Sequence, residues 1–158
     1  MDGGGDDERR GPRKITEGEF TGWWTWGGVD PFEVLTGPFY SRVIDGEPRC
    51  AFRAEARHMN SFGAMHGGCM MTFADFALFS LSQRARGGSQ GVTVNLSGDF
   101  LGPGHAGEWI EARGEVTRAG QSLTFVRGLL TADGRPMLSF SGVIKAVKRR
   151  GPQASEVG

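Results

Sequence analysis

The amino-acid sequence predicts an α+β fold in which an antiparallel sheet wraps around one long central helix. Three observations predict it. The stretch from Gly67 to about Ser82 has apolar residues around nearly its whole circumference, so as a helix it must be covered on most sides. Two extended segments precede it and four follow, with no second long helix among them. The dipeptides Asp45-Gly46, Ala119-Gly120 and Asp133-Gly134 supply tight turns between neighbouring segments. One apolar helix and five or six strands can bury both apolar faces only if the sheet curls about the helix.

Taken in order, the 158 residues are one domain's worth of chain. Residues 1–14 mix Gly, Asp and Arg without periodicity and predict a disordered arm, as do residues 148–158 at the other end; the domain is expected over 15–147. Phe20 to Trp26 is an aromatic segment, either an arm packed over the domain or a wall of a pocket. Pro31 to Leu35 reads as a short helical turn opened by Asp30 as N-cap. Phe39–Ile44 and Arg49–Ala56 form a hairpin across Asp45-Gly46. On its second strand Cys50, Phe52, Ala54 and Ala56 face one side, with Arg49, Arg53, Glu55 and Arg57 on the other. After the helix come strands at Gly91–Leu101, Trp109–Arg118, Leu123–Thr131 and Pro136–Val147. In the second of these Ile110, Ala112, Gly114 and Val116 alternate with Glu111, Arg113, Glu115 and Thr117.

Composition narrows the function classes. Lys plus Arg and Asp plus Glu both total 18, so net charge gives no support for nucleic acid or an anionic membrane as partner. The longest apolar stretch, Cys69 to Leu81, is interrupted by Asp75 and too short to span a bilayer. The N-terminus has no apolar signal-peptide core, and two cysteines make no disulfide framework, which together predict a reduced, cytoplasmic setting. His58, His66 and His105 lack metal-ligand spacing, and Cys50 and Cys69 form no zinc pattern, so neither metal nor cofactor is expected. Cys69 stands near a helix start, which lowers a thiol's pKa, but has no partner and is expected in the core.

The chemistry-bearing stretch runs from Asn60 through His66-Gly67-Gly68 to Asp75. Two glycines at a helix start leave backbone N–H groups open to an anion or a developing oxyanion. Asp75 is a lone carboxylate in an otherwise apolar helix, a position carboxylates rarely take unless paired or functional. The plain alternative is an Asp satisfied by a Thr or Ser hydroxyl or by an Arg.

Asn60-x5-His66-Gly67-Gly68 followed by Ala74-Asp75 resembles the motif of the PaaI-like acyl-CoA thioesterases of the hotdog superfamily. The likeness continues at Gly91 to Leu96, Phe100 to Pro103 and Arg118 to Leu123, over roughly residues 38–147. It implies the hotdog fold and hydrolysis of an acyl-CoA thioester. The Gly67 N–H is then the oxyanion donor, a contribution of about 2.7–4 kcal/mol. Asp75 is the nucleophile or the general base, Asn60 holds the carbonyl or the water, Thr93 helps position water, and His66 braces the loop. Gly68, Phe100 and Pro103 border the substrate. Arg118 and Lys145 meet the phosphates of coenzyme A, or are ordinary solvated charges. The resemblance also implies a homodimer or a pair of dimers with the site shared between subunits. Other readings of the same chain are a non-catalytic acyl-CoA sensor, a hotdog dehydratase of hydroxyacyl thioesters, and a structural protein docking through Trp23 to Trp26.

Overall fold

The computed structural model describes residues 11–26 and 30–148. Residues 1–10 of the expected arm and 149–158 of the expected tail lie outside the described residues. The elements are β1 (Arg13–Lys14), β2 (Trp24–Thr25), α1 (Pro31–Thr36), β3 (Tyr40–Ile44), β4 (Glu47–Arg53), a 3₁₀ turn (Ala56–His58), α2 (Gly67–Ser82), β5 (Gly91–Phe100), β6 (Trp109–Ala119), β7 (Leu123–Ala132) and β8 (Arg135–Ala146). All eight strands form one sheet in the order β1-β2-β3-β4-β6-β7-β8-β5, every neighbouring pair antiparallel. This is the hotdog arrangement, and α2 packs against β4, β5, β6, β7 and β8.

Local chemistry explains the elements. Asp45 and Gly46 both take positive φ (52° and 82°), as do Asp133 and Gly134 (46° and 83°), which is the geometry a two-residue hairpin turn requires. The Asp30 carboxylate accepts the Phe32 and Glu33 N–H groups at 3.0 and 3.3 Å, and Pro31 occupies the first helical position. Phe73, Ala74, Ala77 and Leu78 of α2 meet Phe52, Ile110, Leu130, Leu138 and Ile144 of the sheet in one buried core. Gly142 of β8 is where α2 comes closest. A methyl group there would run into Leu78 and would stand 2.9 Å from the Asn95 carbonyl oxygen.

Three expectations are corrected. Arg13–Lys14, assigned to a disordered arm, is a strand paired with Trp24–Thr25. It is held by Ile15 N–H to Trp23 O and Gly22 N–H to Ile15 O, both 2.8 Å. The far face of β4 is not uniformly wet, because Phe20 and Trp23 lie over it and bury Ala51. Phe20 stacks on Tyr40 and Trp109 with ring centroids 3.9 and 5.0 Å apart. The aromatic segment is therefore chiefly a packing arm, as the first of its two readings held. Ala56, expected on the buried side of β4, is exposed, since the strand ends at Arg53 and the chain turns.

Among the described residues no helix is long and apolar enough to cross a membrane.

Candidate active site

The chain enters α2 through a loop built on side-chain caps. Buried His58 pins its base. Its Nδ1 accepts the Glu55 N–H (2.9 Å), which leaves Nε2–H to donate to Thr36 O (2.8 Å). Burial holds this imidazole below its ordinary pKa, so it stays neutral. Asn60 closes the next turn. Its Oδ1 accepts the N–H groups of Phe62 (2.9 Å) and Ala64 (3.2 Å), and its own N–H donates to Ala64 O (2.7 Å). The side-chain NH₂ of Asn60 has no acceptor among the described residues.

His66 is the N-cap of α2. Its Nδ1 accepts the Gly68 N–H at 2.9 Å, and its carbonyl accepts Cys69 N–H (2.9 Å) and Met70 N–H (3.2 Å). Of the two glycine N–H groups expected to be open, Gly68's is thus taken. That of Gly67 has no acceptor among the described residues. Gly67 also lets a ring approach, since a Cβ there would stand 3.2 Å from the Phe100 ring. The loop after Phe100, which carries Pro103, is tied to the helix start by Met65 N–H to Gly104 O at 2.7 Å.

Asp75 lies eight residues beyond Gly67, a rise of roughly 12 Å along the helix. The α2 helix is less covered than its composition suggests. Gly68, Thr72, Asp75 and Phe79 fall on one side at helical spacing, and all four keep contact with solvent. Asp75 is half-buried there, and Thr93 Oγ1 donates to its Oδ1 at 2.6 Å. Thr93 sits at a register shift between β5 and β8. Its bond satisfies one lobe of the carboxylate, as the plain alternative for Asp75 foresaw, and leaves the remaining lone pairs available.

A cleft of about 330 Å³ opens beside Asp75, lined among others by Trp26, Asp30, Glu33, Phe76, Phe79 and Arg86. One of these, Glu33, escaped sequence reasoning as a site residue. Trp26 gives the aromatic segment its second role as a pocket wall. Glu33 shares the cleft with Asp75, and its carboxyl is pushed up to about 7, first by burial and then by the charges of Asp30 and Asp75. No local pattern pairs Glu33 with a residue so far along the chain.

The remaining candidates lie elsewhere. Arg118 and Lys145 are exposed and form no ion pair among the described residues. They register with Phe125 and Leu123 of β7, whose neighbours Thr124 and Val126 are buried, so both point away from α2. They share a face with each other and not with their own chain's Asp75. Cys50 and Cys69 are free and buried, and burial pushes their thiols up to about 12 and about 11. For Cys69 desolvation outweighs the helix start, and neither thiol is a ready nucleophile. Among the described residues no group of three or more His, Cys, Asp or Glu is placed to hold a metal.

A sheet wrapped on one long helix is the hotdog fold, and the comparisons with known proteins indicate the class, a thioester hydrolase. The family model of the thioesterase superfamily matches residues 62–138. Human acyl-coenzyme A thioesterase 13 is 29% identical over 98 residues, 57% of this chain and 70% of the relative. Phenylacetic acid degradation protein PaaI of Thermus thermophilus, solved as a point mutant, superposes with TM-score 0.64 at 24% identity, covering 75% of this chain and all of that one. A hypothetical thioesterase of Streptococcus pneumoniae, solved with coenzyme A, gives TM-score 0.63 at 20% identity over 72% of this chain and 88% of that one. The family-model match, the curated relatives and the fold together support a PaaI-like hotdog thioesterase.

Proposed function

We propose that the protein hydrolyses an acyl- or aryl-CoA thioester to the free acid and CoA, in a site assembled from two copies of the chain. The observation that carries this reading is the pairing of a half-buried Asp75, held by Thr93, with an open Gly67 N–H too far away on the same helix to share a substrate. In the proposed reaction the thioester carbonyl oxygen lies on the Gly67 N–H, which takes up the charge of the tetrahedral oxyanion. Asp75 either attacks the carbonyl carbon or removes a proton from an attacking water. The carbon–sulfur bond breaks and CoA leaves as its thiolate; where Asp75 attacked carbon, water then opens the acyl-aspartyl anhydride to release the acid and regenerate the carboxylate. The spare NH₂ of Asn60 orients carbonyl or water, His66 holds the helix start, and the Phe100 ring and the Pro103 loop border the substrate. CoA as leaving group is supported by the named activity of the human relative and by the CoA held in the Streptococcus structure.

The shared site calls for a homodimer or a pair of dimers. Its support here is β5, an edge strand paired among the described residues with β8 alone, on which Val92, Val94 and Phe100 are exposed. Two free buried thiols agree with a cytoplasmic setting.

The test is release of CoA thiol from a panel of aryl-, short-, medium- and long-chain acyl-CoAs. Hydrolysis of at least one class is expected, and binding without hydrolysis across the panel would favour the sensor reading. In the same assay Arg118→Ala is expected to raise KM several-fold with kcat little changed, an effect that shrinks at high salt. A fall in kcat at constant KM would remove Arg118 from the CoA phosphates.

A further inference from the structure

We propose that Glu33 is a positioning residue for the reaction, a second carboxyl in the Asp75 cleft whose charge acts on Asp75 and on the anionic substrate across the contact between α1 and α2. This inference rests on the thioesterase reading of the Asp75 cleft.

The geometry is that of an acid without a cation. Glu33 lies in the first turn of α1, and its side chain lines the cleft that Asp75 lines. Asp30 faces it from its own helix, and Asp75 from α2. Three guanidinium groups stand near, and two are committed to other acceptors. Arg86 spends its donors on Ser82 Oγ (3.0 Å), Phe79 O (3.1 Å) and Ser89 O, closing the C-terminal end of α2. Arg57 spends its own on Glu55, Leu35 O and Gly37 O. Arg13 borders the neighbouring hollow from β1, is exposed, and bonds to no carboxylate among the described residues. Burial first, and then the two neighbouring acids with no committed cation, leave Glu33 holding its proton to about pH 7.

Two consequences follow. With Glu33 neutral, the cleft carries one acid charge fewer, and an anionic thioester can approach. With Glu33 ionised, a further negative charge in the cleft repels the substrate. The switch falls near neutral pH, where Glu33 titrates.

The experiment joins kinetics to carboxyl ¹³C NMR. The wild-type pH profile of kcat/KM is expected to carry an inflection near pH 7, with KM rising several-fold from about pH 6 to about pH 8. Glu33→Gln should lose that inflection, and Glu33→Asp should keep one. By NMR the Glu33 signal, identified by its loss in Glu33→Gln, should titrate near 7, and Asp75→Asn should lower its midpoint. Superimposable pH profiles for wild type and Glu33→Gln would overturn the proposal. So would a Glu33 midpoint in the ordinary carboxylate range, or one indifferent to Asp75→Asn. If no acyl-CoA is hydrolysed, the thioesterase reading fails by itself, and the NMR titration still decides whether the two carboxyls interact.

Discussion

Asp75→Asn is expected to lower kcat by about a thousandfold or more, roughly 4 kcal/mol of barrier, while acyl-CoA still binds within a few-fold of wild type. The amide is nearly isosteric and keeps an oxygen to accept the Thr93 hydroxyl, so the contact between α2 and β5 survives. What is lost is the charge that attacks carbon or takes a proton from water. Folding should be kept or improved, because a partly desolvated carboxylate becomes neutral. Steady-state thiol release, with circular dichroism as the control for folding, checks this. Turnover within a few-fold of wild type would move the chemistry away from Asp75.

The second large effect is expected from Gly67→Pro, which removes the proposed oxyanion donor and little else. Proline is well tolerated at the first position of a helix, where its missing N–H has no partner to lose. The Gly67 N–H has no acceptor among the described residues, and His66 before it already has φ −63° and ψ 134°, a conformation proline favours in its predecessor. The one contact to be accommodated is the exposed Phe100 ring. Loss of one such donor costs about 10²–10³ in kcat. A folded Gly67→Pro protein with unchanged kcat would show that the oxyanion is held by another group.

The residues differ in how openly the sequence announces them. The bounds of α2, Gly67–Ser82, agree with the apolar stretch, because helix start, glycines and side-chain period are all local. Asp45-Gly46 and Asp133-Gly134 are legible for the same reason, since only a few residue types accept positive φ. The His66 cap and the open Gly67 N–H are half legible. The glycines mark the site, but only the structure shows that the imidazole has claimed one of the two N–H groups. What is long-range is not legible. Ala51 is buried because Phe20 and Trp23 fold back over β4, and Glu33 shares a cleft with Asp75 because α1 docks on α2. The open side of α2 is hidden for a further reason. Phe79 and Met71 are apolar, yet they lie with Asp75 on the side the chain's own sheet leaves partly uncovered. Composition alone does not distinguish a helix side covered by its own sheet from one left open.

The proposed site shared between two copies of the chain is tested most directly by reconstitution of a mixed oligomer. Gly67→Pro and Asp75→Asn proteins, each nearly inactive, are unfolded together in equal amounts, refolded, and separated by affinity tags so that heterodimers are counted. With Gly67 from one subunit and Asp75 from the other, each heterodimer carries one site with both defects and one intact site. Random pairing therefore restores about a quarter of wild-type sites. Recovery near that level is the predicted result. Heterodimers no more active than either parent would contradict the shared site.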